Sequence, residues 1–182
     1  MRTSATMENA ARAGRAHSVK IKRLDVGEGE RLRAIRLRAL RDTPDAFETT
    51  VEEAAARPFD SWDRQLDQLE TFVATEGGRD VGLVRGMRHD HFGDAGYLIS
   101  MWVAPEARRQ GIGSALIDAV ALWAKTQGFN RLLLDVGETN LPAIALYTRK
   151  GFAPNGEVGT LPPPRDHVRE IQLVMQLERV QP

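Results

Sequence analysis

The chain has 182 residues, 25 Lys and Arg against 25 Asp and Glu, and no cysteine. That length suits one domain with a real core, the balanced charge argues against general nucleic-acid binding, and the missing thiol removes disulfides, thiol catalysis and cysteine ligands for zinc. No apolar run approaches a membrane span and no hydrophobic leader opens the chain, so a soluble, cytoplasmic protein without a membrane partner is expected.

Residues 1–17 are small and polar without periodicity, and are expected to form a loose extension before a single domain over 18–182. Val19 to Leu24 alternates as a strand, and Glu28 to Arg41 sets Leu32, Ile35, Ala39 and Leu40 on one helical face. Asp42-Thr43-Pro44-Asp45 ends that helix. Thr50 and Glu53 have capping-box spacing, Pro58 interrupts, and Trp62, Leu66 and Leu69 predict a further helical piece after Asp60-Ser61. Thr71 to Thr75 and Val81 to Met87 flank Gly77-Gly78-Arg79-Asp80, which predicts a hairpin. Tyr97 to Val103 has the β-branched and aromatic character of a strand, stopped by Pro105.

Ile112, Ala115, Leu116, Ala119, Leu122 and Trp123 recur at helical steps, predicting one face of a long helix. Arg131 to Val136 reads as a strand, and Asn140 to Lys150 as a short helix with Asn140 as cap, Pro142 in its first turn and Gly151 as its stop. Ile171 to Leu177 alternates as a final strand. The result is a mixed α/β chain whose central strand-helix-strand unit implies a parallel pair with a right-handed crossover.

The richest segment is Arg108-Arg109-Gln110-Gly111-Ile112-Gly113, a glycine turn between a strand and a helix. The first N–H groups of that helix lack intrahelical partners and carry the positive end of the dipole, so an anion can be held largely by main chain. A P-loop is excluded because Gly113 is followed by Ser114-Ala115 with no lysine, and a dinucleotide fingerprint because Leu116 stands at the third glycine position. The remaining pattern, R-x-x-G-x-G, resembles motif A of the GCN5-related N-acetyltransferase (GNAT) family. Downstream, the spacing N-x-x-A-x-x-L-Y-x-x-x-G-F from Asn140 to Phe152 resembles the same family's motif B, in the right order and at the usual separation.

The resemblance implies the GNAT fold, a mostly antiparallel sheet flanked by helices with a central parallel pair that splays at one end. It implies acetyl-CoA as co-substrate and no metal. The pyrophosphate would lie on Arg108, Arg109, Gln110, Gly111, Ile112, Gly113 and Ser114, and the pantetheine arm against Met101, Val103, Asn140 and Tyr147. Tyr147 matches the family's tyrosine acid, which protonates the departing thiolate, although a helix tyrosine packed on the core is the plainer alternative. Asp135 stands where one branch of the family has a glutamate base. Being one methylene shorter, it acts through water or serves as a strand-end carboxylate, with Glu138 as competitor, and the resemblance also allows ordered water as the only base. Asn140 caps its helix, contacts pantetheine amides, or does both.

His89-Asp90-His91 lies in a turn without spaced further ligands, which disfavours a metal. Leu161-Pro162-Pro163-Pro164-Arg165 is a stiff extended segment of the kind that lines acceptor pockets in the family. The three tryptophans read as core. The resulting expectation is acetyl transfer to a primary amine by direct attack in a ternary complex, with a small-molecule acceptor ahead of a protein N-terminus or lysine. A non-catalytic acyl-CoA-binding module is the competing class. Homodimers are common in the family, but no residue pattern marks one here.

Overall fold

The computed structural model describes residues 18–178, so the expected extension over 1–17 lies outside the described residues. The strands are β1 Lys20–Arg23, β2 Glu70–Glu76, β3 Arg79–Arg88, β4 Ala95–Val103, β5 Arg131–Gly137, β6 Ala153–Thr160 and β7 Arg169–Gln176. The helices are α1 Gly29–Asp42, α2 Val51–Ala55, α3 Asp60–Gln68, α4 Ile112–Thr126 and α5 Leu141–Arg149. All strands join one sheet in the order β1-β2-β3-β4-β5-β7-β6, antiparallel throughout except for β4 with β5.

Local chemistry accounts for most of these boundaries. Thr50 and Glu53 close a reciprocal capping box on α2. Gly77 and Gly78 both take positive φ in the β2–β3 turn, where a side chain would be strained. Asn140 caps α5 through the Ala143 N–H, and Gly151 ends it at φ 94°.

The helices cover both faces of the sheet. A Cβ on Gly82 or Gly86 would run into Leu116 or Trp123 of α4, which places α4 tightly on one face. On the other face, Arg85 of β3 points to Gln65 of α3, beside α1. Leu32, Ile35, Trp62, Leu83, Leu116 and Leu132 are among the fully buried side chains between these layers.

Two expectations are corrected. The buried face of α4 is Ile112, Leu116, Ile117, Val120 and Ala124, while Leu122 is 62% exposed. The i, i+4 series from Ile112 defines the stripe on the sheet, and Leu122 falls outside it. The second correction is β6, which was not predicted. Its sequence, Ala153-Pro154-Asn155-Gly156-Glu157-Val158-Gly159-Thr160, contains a proline and two glycines, and every residue is exposed. It is an edge strand with a register shift between Pro154 and Val158, a setting that tolerates these residues and erases any alternation.

Candidate active site

The central feature is a pair of strands that part. β4 and β5 pair only through Ala95–Arg131, Gly96–Leu132 and Tyr97–Leu133, although β4 runs on to Val103 and β5 to Gly137. Beyond Tyr97 the β5-facing main chain of β4 has no strand partner, and a cleft of about 1320 Å³ opens there. An irregularity in β4 shapes one wall. Leu83 pairs with Trp102 but Arg85 with Ile99, so β4 carries one extra residue near Ser100, whose φ is 57°. The bulge switches which residues face α4. Gly96 faces it before the bulge, whereas Met101 and Val103 do so after it, against Gly113.

The glycine turn closes one end of the cleft. Arg109 at φ 61° and Gly111 at φ 82° both adopt left-handed backbone, an unusual conformation for arginine that turns the chain into α4. No side chain caps α4, so its first N–H groups stay available at the mouth of the cleft. The two glycines serve different ends. A Cβ on Gly111 would meet nothing, so its need is the positive φ, whereas one on Gly113 would lie 2.8 Å from Leu146 Cδ2 and make that side chain of α5 shift.

The turn residues do not contribute alike. Arg108, Arg109, Gly111, Gly113 and Ser114 line the cleft, as do Met101, Val103, Asn140 and Tyr147, but Gln110 and Ile112 do not. Ile112 is buried in the core and Gln110 donates to the Glu106 carbonyl, leaving Ile112 only its N–H. Arg108 binds the Val103 carbonyl at 2.9 Å and the carboxylate of Asp42, which also accepts from Trp102 Nε1. It therefore ties the turn to α1 and β4.

Tyr147 of α5 is 5% exposed, packs edge-on against Phe152 and lines the cleft. Burial pushes its phenol pKa upward, so it is protonated and able to donate at neutral pH. Asp135 of β5 is exposed and already engaged. Its two carboxylate oxygens accept from the Tyr97 hydroxyl and from Gln172 Nε2 at 3.1 Å, and Gln172 is held in turn by Asn155 at 2.8 Å. Glu138 pairs with Arg169 at 3.5 Å on the rim.

Sequence reading passed over Glu170. On β7 it pairs with Gly137, two residues from the Asp135–Gln172 pair, so strand alternation puts it on Asp135's face with no opposing side chain. It is half-buried in the cleft, and no side-chain hydrogen bond holds its carboxylate among the described residues. Burial, with the nearby charges of Asp135 and Glu48, raises its pKa to about 7. The strand read from the sequence begins at Ile171, so Glu170 fell outside it, and its meeting with a glycine across the strand pair was not legible.

The far wall is Thr43 to Ala46, after α1, and His167 to Glu170. The proline segment reaches it indirectly. Arg165 is buried and donates to the carbonyls of Pro44, at 2.9 Å, and Glu48, clamping that segment to the chain after α1. His89 lies edge-on to Tyr97 at 5.2 Å, and burial lowers its pKa. No cluster of three metal-ligating side chains occurs among the described residues.

A splayed parallel pair beside an uncapped helix start is the geometry that motifs A and B led one to expect, and residues 30–152 match the model of the Acetyltransferase (GNAT) family. The chain belongs to this family. It is 30% identical over 123 residues to a mycothiol acetyltransferase of Thermobispora bispora, covering 65% of this chain and 41% of that one. It is 36% identical over 90 residues to the peptidyl-lysine N-acetyltransferase YiaC of Escherichia coli, covering 50% and 54%. The chain thus spans about half or less of the length of these curated relatives. Among solved structures, yncA from Salmonella typhimurium with its cofactor acetyl-CoA superposes with a TM-score of 0.70 at 19% identity, over 91% of this chain and 97% of that one. Mostly antiparallel order and one parallel pair agree with that fold. Among the described residues, no helix is long and apolar enough to cross a membrane.

Proposed function

We propose that the chain is an acetyl-CoA-dependent N-acetyltransferase that acts on a small-molecule amine by direct attack in a ternary complex. The observation that carries this reading is the loss of β4–β5 pairing after Tyr97–Leu133, which opens onto the start of α4 and onto Tyr147 in one cleft. The N–H groups at the start of α4 hold the pyrophosphate, with Arg109, which lines the cleft, adding charge nearby. Unpartnered main chain of β4 receives the amide-bearing arm. The acceptor enters from the side of Thr43 to Ala46 and His167 to Glu170.

Acetyl transfer needs a neutral amine. Glu170 is the better base, since its carboxylate is unbonded and its pKa of about 7 suits proton removal near neutrality, whereas both oxygens of Asp135 are occupied. Asp135 then acts on Glu170 through its charge. The amine nitrogen attacks the thioester carbonyl, Glu170 takes its proton, and Tyr147 protonates the sulfur as the carbon–sulfur bond breaks. The Arg165 clamp holds the acceptor-side wall in place. The name of the mycothiol relative supports a small acceptor, and that of the peptidyl-lysine relative supports the protein alternative.

Release of free thiol from acetyl-CoA, measured across a panel of small amines, amino acids and lysine peptides, tests this reading. Amine-dependent release with a matching acetylated product is expected. Turnover of lysine peptides alone would replace the small acceptor by a protein one. Heat protection by acetyl-CoA without any amine-dependent release would make the chain a binding module.

A further inference from the structure

The layer between α1, α3 and β3 holds a charge imbalance that the cleft does not explain. Arg36 of α1 and Arg85 of β3 are 8% and 4% exposed, and Arg57, between α2 and α3, is half-buried beside them. Gln65 Oε1 accepts from both Arg57 Nη1 at 3.3 Å and Arg85 Nη1 at 3.2 Å, so two guanidinium groups share one neutral oxygen. Their other partners are neutral too. Arg85 Nη2 reaches the Gln65 carbonyl, Arg57 Nη2 reaches Thr49 Oγ1, and Arg36 lies 4.3 Å over the Phe47 ring.

Among the described residues no carboxylate pairs with any of the three. Glu53 acts on Arg57 only from a distance, because its own carboxylate accepts the Thr50 N–H in the α2 cap. The unsatisfied groups of this layer also share one character. Arg36 Nη1, Arg85 Nε and Trp62 Nε1 are all buried donors without an acceptor, and Arg57 lies 6.0 Å from the Trp62 ring. Water could accept from such donors but would leave the charge uncompensated. Burial, with Arg57 nearby, lowers the pKa of Arg36 to about 10, and burial with Arg36 and Arg57 lowers that of Arg85 to about 9. Both remain charged at neutral pH.

We propose that Arg36, Arg57 and Arg85, with Trp62 Nε1, bind a small oxyanion of the carboxylate or phosphate kind at a site separate from the cleft. None of the four residues lines the cleft, so this inference stands apart from the acetyltransferase reading. Guanidinium forks match both anions, and an acceptor-only ligand answers the orphan donors and the net charge together. Half-buried Arg57 is the member that meets solvent and marks the entry.

The test is thermal unfolding of the full chain, with coenzyme A at saturation to fill the α4 turn, as chloride is replaced by acetate or by inorganic phosphate at constant ionic strength. A saturable rise in Tm of about 3 to 6 °C is expected at roughly ten times the midpoint concentration. A response to acetate alone assigns the site to carboxylates, and one to phosphate alone to phosphates. R36M and R85M are expected to remove the rise, and R85M to melt no lower than the wild type in chloride because it deletes an unpaired buried charge. R57M, at the entry, provides the same reading without altering a fully buried position. No rise in the wild type, or an equal rise in all the variants, overturns the proposal.

Discussion

The two ends of the cleft are built from different materials. At the donor end, main chain does the work: two left-handed residues, an uncapped helix start and a strand edge left without a partner. At the acceptor end, side chains from distant elements converge, with Asp135 from β5, Glu170 and Gln172 from β7, Tyr97 from β4 and Glu48 from the chain after α1. Backbone geometry is fixed by a short run of residue types and can be shared widely. Convergent side chains depend on register and can be retuned one position at a time.

This contrast predicts unequal consequences of substitution. Glu170→Gln removes the base, and kcat/KM at neutral pH is expected to fall about 10² to 10³-fold with little change in acetyl-CoA affinity, as steady-state kinetics and calorimetry would record. A fall in affinity of the same size would make Glu170 part of the donor end. Tyr147→Phe is expected to cost about 10 to 10²-fold in kcat, less than loss of the base because a thiolate leaves readily. Unchanged turnover with intact acetyl-CoA binding would return Tyr147 to the core.

Donor-end changes are smaller and fall on binding. Gly111→Ala forces a side chain into the left-handed region, and acetyl-CoA affinity is expected to drop about 5 to 20-fold with kcat nearly kept, consistent with roughly 1 to 2 kcal/mol of strain. Asn140→Ala removes the α5 cap and is expected to cost about 1 kcal/mol, a Tm lower by about 2 to 4 °C.

How much of this could be read from the sequence follows the same division. The turn from Arg108 to Gly113 and the helix expected over Asn140 to Lys150 are local patterns, and the structure forms both where the spacing predicts. Distinguishing Gly111 from Gly113 needed the fold, because only the packing of α5 against α4 shows what a Cβ on Gly113 would strike. β6 escaped notice because an exposed edge strand with proline and glycine has no alternation to read. Glu170 escaped for a different reason. It stands one residue before the alternating run read from Ile171, and it gains its character only from Gly137, Asp135 and Glu48, which the sequence places far away.

Stability gives a check on Glu170 that needs no acceptor. Its folded pKa is raised, so its contribution is fully present below the ordinary glutamate range and is lost as pH rises through about 7. Glu170→Gln is therefore expected to melt above the wild type at pH 8, with the gap narrowing below about pH 7 and closing near about pH 4. An equal gap at both pH values would mean that the charge is not the cause.

The most direct test is the pH dependence of kcat/KM for acetyl transfer, compared between the wild type, Glu170→Gln and Asp135→Asn. The wild type should lose activity below an apparent pKa near 7, Glu170→Gln should lack that limb, and Asp135→Asn should keep it at lower pH because a like charge has gone. An acidic limb that survives in Glu170→Gln and disappears in Asp135→Asn would contradict the account and return the base to β5.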